Sequence, residues 1–402
     1  MTPTAFDSIP SFEIKNRIGA VQEKLQRDDI DGLMVIQRVD LLYLSGTAQH
    51  AFLYIPVSGQ PLLMVKKYYP RAVQESAIDN IVEIKSVKEM PGVIHDFYGK
   101  IPHKIGFELD VLPVKDFGFY QHLFPDSKLV DGSPLILETR MIKSNWEIEQ
   151  MEKSAEVSHR TFDYMKTAIR PGLSEMGFAA MAESFARKNG HMGKLRVRDF
   201  QTEGYCWHIL SGKNSAMVGL LDAPASGAGT SMAFPCGAGW KLLESDEPIL
   251  IDFSMAMNGY HIDETRMFAI GAMPQKARVV SQAAIDIHNA VLETLKPGMS
   301  AHEIYEFSMS MAQRCGYADS YLGPSGYQVS FVGHGIGMEL VEPPFLAKGR
   351  RDCLKPGMTF ALEPKIVIED MFMAGIESVF LVTEKGTRLI STVPVEIFCC
   401  NN

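Results

Sequence analysis

No apolar run in the chain approaches the roughly 20 residues a membrane-crossing helix needs, and Met1 to Arg17 lacks the basic-then-apolar pattern of a secretory leader. The expectation is a cytoplasmic protein with no membrane partner. Cysteine is scarce, six in 402 residues (Cys206, Cys236, Cys315, Cys353, Cys399, Cys400), and no CxxC pair occurs. That argues against a disulfide framework or a zinc knuckle and leaves buried or incidental thiols. Positive charge is also short, 39 Lys and Arg against 48 Asp and Glu, and the basic residues are scattered. No basic stripe is available to follow a phosphate backbone, so nucleic acid is not an expected partner. What is present is an ordinary globular composition, 46% hydrophobic and 22% charged, over more residues than one core usually organises. Two domains follow.

From Glu13 to about Leu135, helical and strand-like segments alternate: helical spacing over Ile14 to Arg27, then short apolar strands at Gly32 to Gln37, Leu62 to Lys66 and Asn80 to Lys85. This predicts an α/β domain over residues 1–143. Ser144 followed by Glu147 predicts a capped helix start, and Pro171-Gly172 its end near Arg170. Residues 144–402 form the second expected domain, and it contains an echo. Arg170-Pro-Gly-Leu-Ser174 leads to a helical stretch with Ala186 and Asn189-Gly190; Lys296-Pro-Gly-Met-Ser300 leads to another with Ala312 and Cys315-Gly316, at one constant offset. A duplicated α/β unit is the physical reading, since two similar halves can place ligands between them. Chance recurrence of a common Pro-Gly-Ser helix start is the alternative. Between Leu220 and Trp240 the chain is rich in Gly, Ala, Ser and Pro with no hydrophobic period, which predicts a long surface loop, either a binding lid or a disordered spacer.

Residues Pro248 to Arg266 read as a β-hairpin turning at Asn258-Gly259. In that register Asp252 opposes Thr265 and Ser254 opposes Asp263, and these four share one face with His261. Two bare carboxylates aimed into apolar surroundings repel and are costly to desolvate, so a positive charge should sit between them; a metal pair roughly 3.5 to 4 Å apart fits. A solvent-facing hairpin is the bland alternative, opposed by the apolar flanks Ile249-Leu-Ile and Met267-Phe268. Downstream, glycines surround His334, the only histidine after His302, and leave its imidazole unshielded. Glu363 and Glu377 stand in strand-like apolar runs, where a carboxylate is expensive unless paired or metal-bound. Four carboxylates and one imidazole suit Mn(II), Fe(II), Co(II) or Zn(II), and the lack of thiolates argues against a structural zinc.

An Asp, ten residues, an Asp within D-E-T-R, then G-H-G-I-G, L-E-P and G-I-E resembles the metallopeptidase family of methionine aminopeptidases, Xaa-Pro aminopeptidases and Xaa-Pro dipeptidases (prolidases). The whole chain is similar to the Xaa-Pro branch, including Tyr43-Leu-Ser-Gly46 and Met141-Ile-Lys-Ser144. The resemblance implies an α/β creatinase-like N-terminal domain and an α+β "pita-bread" C-terminal domain with pseudo-twofold internal duplication. It implies two divalent ions, Mn(II) first with Co, Zn or Fe as alternatives. Asp252 would chelate one; Asp263 and Glu377 would bridge both; His334 and Glu363 would complete the second. A hydroxide between the ions would attack a carbonyl, Glu363 would move the proton, and Thr265 would support the bridge from behind. A homodimer acting on small peptides is implied as well.

The chain departs from that family in its nonligand histidines, which hold substrate in the Xaa-Pro peptidases. Their positions here hold Gly219 or Pro235, Ser330 and Val341, and Gly375 replaces an arginine often found just before the last glutamate. His261, on the metal-facing side of the hairpin, and His208, near the start of the family's substrate loop, are candidate replacements or simply buried, hydrogen-bonded histidines. The leading function is therefore a metal-dependent Xaa-Pro peptidase. The alternatives are a dinuclear hydrolase of a small nonpeptide amide or amidine, and a noncatalytic binding protein on the same scaffold.

Overall fold

The computed structural model describes residues 8–198, 204 and 208–401, and the chain divides into two compact units. The first runs to Arg140 and takes in Arg198. Its six-stranded mixed sheet has the order Asn80–Glu83, Leu62–Val65, Ala51–Pro56, Gly32–Val35, Lys104–Phe107, Lys128–Asp131. The antiparallel pair Gly32–Val35 with Ala51–Pro56 and the parallel pair Gly32–Val35 with Lys104–Phe107 make its centre. The expected strands are present, each ending one or two residues early. Asp40, in the helix Arg38–Ser45, is fully buried and is held by Arg140 at 2.6 Å and Arg198 at 2.6 Å, so its charge is matched where water is excluded.

The second unit opens on the helix Asn145–Ala168. The predicted start is a capping box: Glu147 N donates to Ser144 Oγ, and Ser144 N to the Glu147 carboxylate. The predicted echo is structural. The helices Glu175–Lys188 and Ala301–Arg314 both follow a serine cap, and their first and last residues are each 126 positions apart. A four-stranded sheet (Ile397–Cys400, Tyr260–Ile270, Ile249–Met257, His208–Ser211) belongs to the first half. A five-stranded sheet (Glu342–Ala347, Phe331–Gly335, Thr359–Leu362, Ser378–Thr383, Gly386–Leu389) belongs to the second. Helix Gln275–Thr294 and helix Ala301–Arg314 cover one apolar core that includes Val280, Ile287, Ile304, Phe360 and Phe380. Each such side chain contributes roughly 1.5–3 kcal/mol by leaving water.

The hairpin forms in the predicted register, Asp252 opposite Thr265 and Ser254 opposite Asp263. Asn258 and Gly259 both have positive φ, 52° and 88°, which is what a two-residue turn matching the strand twist requires. The Gly-rich stretch differs from the expected surface loop. Its small residues let backbone pack closely, so Ala225, Ser226, Cys236 and Ala238 are buried. Backbone bonds from Ser226 N to Met217 O and from Gly237 N to Ser226 O fix the stretch, with Asn214 and Glu175 accepting from Ala228 N and Gly239 N. Cys315, Cys353, Cys399 and Cys400 are free thiols, and Cys206 lies outside the described residues. Among the described residues no helix is long and apolar enough to cross a membrane.

One buried group gives the second unit a pH dependence. His288, fully buried in the helix Gln275–Thr294, has its pKa pushed down to about 4, chiefly by burial and in part by Arg266, against a hydrogen bond with Asn289. Between its ordinary value of about 6.5 and this one, only the unfolded chain takes the proton, so stability is lost as pH falls through that window. Denaturant unfolding of the wild type against His288→Leu should show an extra loss on the order of 3 kcal/mol in the wild type between pH 7 and 4. Parallel curves for the two proteins would refute it.

Candidate active site

Five expected residues converge where the two halves of the second unit meet. Asp252 and Asp263 come from the hairpin, His334 from Phe331–Gly335, Glu363 from just past Thr359–Leu362, and Glu377 from just before Ser378–Thr383. All five are nearly buried, between 1% and 9% exposed, so their charges interact without much screening. Backbone pairing sets their positions. Glu363 N donates to Val332 O, His334 pairs with Ala361, and Thr265 and Glu377 exchange two backbone hydrogen bonds across the halves.

The D-E-T-R segment braces this junction. Thr265 Oγ1 donates to Glu377 Oε2 at 2.8 Å. Arg266, fully buried, donates to the carbonyls of Thr265, Glu377, Val393 and Pro394, and so holds the strand carrying Glu377 against the hairpin. Glu264 points the other way and accepts from Ser158 on the long helix. On the site face, Ser254 Oγ donates to Asp263 Oδ1 at 2.7 Å. His334 bonds through Nδ1 to Gly335 O at 3.0 Å, which directs Nε2 toward Glu363 Oε1, 3.7 Å away.

Sequence reasoning missed Lys365. Its ammonium lies 2.9 Å from Asp252 Oδ2, 2.8 Å from Glu363 Oε2 and 3.3 Å from Glu377 Oε2. The signal was available: a lysine two positions after Glu363, in the apolar strand Lys365–Ile368, is as expensive to bury unpaired as the glutamate. Gly375 pairs with Lys365, and a Cβ there would lie 2.6 Å from Lys365 Cγ. The glycine that takes the place of the family's arginine is thus the residue that admits the lysine.

The electrostatics are uneven. Burial alone would raise the Asp252 pKa, but the Lys365 ammonium and then His208 hold it well below the carboxylate range. Burial, then the charge of Asp252, push Asp263 well up; burial, then Asp263, do the same to Glu377. Four carboxylates share one ammonium, and the upward push on Asp263 and Glu377 shows that one lysine does not offset their mutual repulsion.

That imbalance bears on the divalent ions the fold implies. Asp263, His334 and Glu377 each offer a ligand atom within 4.8 Å of the other two, and Glu377 Oε1 is buried with no hydrogen-bond partner among the described residues. An imidazole nitrogen and two carboxylates, one of them with an oxygen that no described residue engages, suit one divalent ion. Asp252 and Glu363 stand outside that group, with oxygens engaged by Lys365.

The two histidine candidates separate. His261, fully buried, has Nδ1 3.0 Å from Gly337 O, and Nε2 accepts from Arg196 N at 3.0 Å, so both ring nitrogens are committed to backbone. His208 sits opposite Asp252 in the sheet, with Nδ1 3.5 Å from Asp252 Oδ2 and Nε2 buried without a partner among the described residues.

A pseudo-duplicated α+β unit with acidic and imidazole ligands gathered between its halves, preceded by an α/β unit, defines the class of a two-domain metallohydrolase with the pita-bread fold. The chain belongs to metallopeptidase family M24, whose model matches residues 149–384, and residues 17–142 match the creatinase/prolidase N-terminal domain. It is 27% identical to an uncharacterized peptidase of Bacillus subtilis over 92% of this chain and 95% of that one. It is 26% identical to a Xaa-Pro dipeptidase of Pyrococcus furiosus over 96% and 100%. In structure it is similar to a Xaa-Pro dipeptidase from Bacillus anthracis (TM-score 0.81, 23% identity, 96% and 99% covered). It is also similar to an X-Pro aminopeptidase from Thermotoga maritima (TM-score 0.78, 24% identity, 94% and 99% covered).

Proposed function

We propose that the chain is a metal-dependent hydrolase that cleaves the amide bond of Xaa-Pro dipeptides or short Xaa-Pro peptides. The observation that carries this is the buried convergence of Asp263, His334, Glu363 and Glu377 in an M24 chain that aligns end to end with a Xaa-Pro dipeptidase. A divalent ion bound by Asp263, His334 and Glu377 would polarise the scissile carbonyl and acidify the attacking water. Glu363 uses Oε1, the oxygen not held by Lys365, to take the proton and return it to the leaving nitrogen. Asp252 fixes Lys365 and His208. His208 offers Nε2 to the substrate in place of the family's absent histidines, whereas His261 has a structural role in holding the Gly337 and Arg196 backbone. Mn(II) is the first metal to supply, and a cytoplasmic homodimer is the working form.

The test is release of proline from a panel of Xaa-Pro dipeptides and longer Xaa-Pro peptides with Mn(II), alongside Asp263→Ala. Turnover that disappears in the control supports the reading. His208→Ala should then lower kcat by about 10²-fold with a smaller change in KM, and His208→Gln should recover part of it. An unchanged kcat would remove His208 from the substrate site.

A second reading is favoured by one observation: all three family histidine positions hold other residues and a lysine stands among the ligands. Such a site suits a small nonpeptide amide or amidine. A folded, metal-loaded protein inert toward every Xaa-Pro peptide but active on such compounds would establish it. Metal binding with no turnover of any amide would leave a noncatalytic binding protein.

A further inference from the structure

We propose that Lys365 is a built-in cation that takes the place of one of the two divalent ions expected in this fold, so that the centre binds a single exchangeable ion at Asp263, His334 and Glu377. The proposal rests on the metal-dependent reading above and specifies its stoichiometry. Three carboxylates carried by separate segments, Asp252 from the hairpin, Glu363 from the turn after Thr359–Leu362 and Glu377 from the approach to Ser378–Thr383, aim oxygens at one point. That point is the Lys365 nitrogen. The spacing of 2.8 to 3.3 Å is that of N–H···O hydrogen bonds, and an ion held by the same oxygens would need them near 2.0–2.2 Å. A metal and the ammonium cannot share the position.

The seat of the lysine is built into the backbone. Lys365 pairs with Gly375, its carbonyl accepts from Leu322 N at 2.9 Å, and the missing side chain at 375 leaves the room its stem fills. Lysine at 365 and glycine at 375 are therefore one device. Asp252 belongs to it too, because its Oδ2 faces both Lys365 Nζ and His208 Nδ1. Asp263, which accepts no hydrogen bond from Lys365, and Glu377, which gives Lys365 only Oε2, are the ones grouped with His334, and Glu377 Oε1 is buried with no hydrogen-bond partner among the described residues. A protein that keeps all five ligand residues of a two-ion centre thus has donors free for one ion.

The deciding experiment counts metal. Full-length protein is stripped with chelator, titrated with Mn(II) alone by calorimetry, and analysed for bound metal after desalting, as wild type and as Lys365→Ala. The expected result is one ion per chain in the wild type and two in Lys365→Ala, with the gained site lost again in Asp252→Asn/Lys365→Ala. Two ions in the wild type, or no gain in a folded Lys365→Ala, overturns the proposal. Should Lys365→Ala not fold, Lys365→Ser and the wild-type count decide on the same terms. The readout separates the two claims. A wild type that binds no ion sinks both, whereas two ions in a wild type that releases proline sinks the Lys365 proposal alone. A single bound ion without peptide turnover sinks the peptidase and leaves the lysine in place.

Discussion

Asp263→Asn should lower kcat/KM by about 10³-fold or more and, in the metal-free protein, raise stability. Both effects have one cause. Asp263 is buried beside Asp252 and near Glu377 and Glu363, and burial followed by the charge of Asp252 pushes its carboxyl well above the ordinary range. An acid whose folded pKa is raised loses stability as pH climbs from its unfolded value of about 3.9, because the unfolded chain releases the proton first. Asparagine keeps the oxygen that accepts from Ser254 and removes the charge. The variant should therefore exceed the metal-free wild type at pH 7 by about 1–3 kcal/mol and converge with it near pH 4. Added Mn(II) should stabilise the wild type far more than the variant. Denaturant unfolding with and without chelator measures both arms. A variant that retains activity, or that is less stable than the stripped wild type at neutral pH, would show that Asp263 is not a charge held in reserve for a cation.

The ligand residues were legible in the sequence because two local rules combined. The Asn258-Gly259 turn fixed the hairpin register, and alternation put Asp252, Ser254, Asp263 and Thr265 on one face. Alternation names a face and says nothing of position along it, which is how His261 came to be grouped with them. It lies two residues beyond Asp263, roughly 6.6 Å along a strand, and its ring turns to the Gly337 and Arg196 backbone instead. Gly-rich composition misled in a different way. Between 220 and 240 the lack of a hydrophobic period predicts exposure, yet small residues are also what close backbone packing needs, as the bond from Gly229 N to Gly237 O shows. The cost of burying charge that marks Glu363 and Glu377 applies equally to Lys365. Gly375 reads in sequence as a missing arginine; its meaning depends on a partner ten residues away in sequence that pairing brings opposite.

Lys365→Met should cost the metal-free protein about 3–5 kcal/mol, the usual penalty for removing one member of a buried ionic cluster. The ammonium faces Asp252, Glu363 and Glu377, and methionine fills its volume without supplying charge. The pH dependence gives the cause. Asp252 is held below its ordinary pKa, so its contribution is present above about 3.9 and is lost as pH falls through the lower folded value. Lys365 is opposed by its own burial but raised further by Asp252, Glu363 and Glu377, so its contribution is present below about 10.4 and is lost as pH rises through the higher folded value. The gap between wild type and variant should accordingly be full from about pH 4 to 10 and close on the acid side. A divalent ion that fills the vacated charge should restore roughly 2.7 kcal/mol at a hundredfold excess over its Kd. The stripped variant is therefore expected to be much weaker than the stripped wild type, and the loaded variant close to the loaded wild type. Equal stability of the two stripped proteins at pH 7 would mean that the three carboxylates do not depend on the ammonium. The lysine would then not serve as the counter-charge of the cluster.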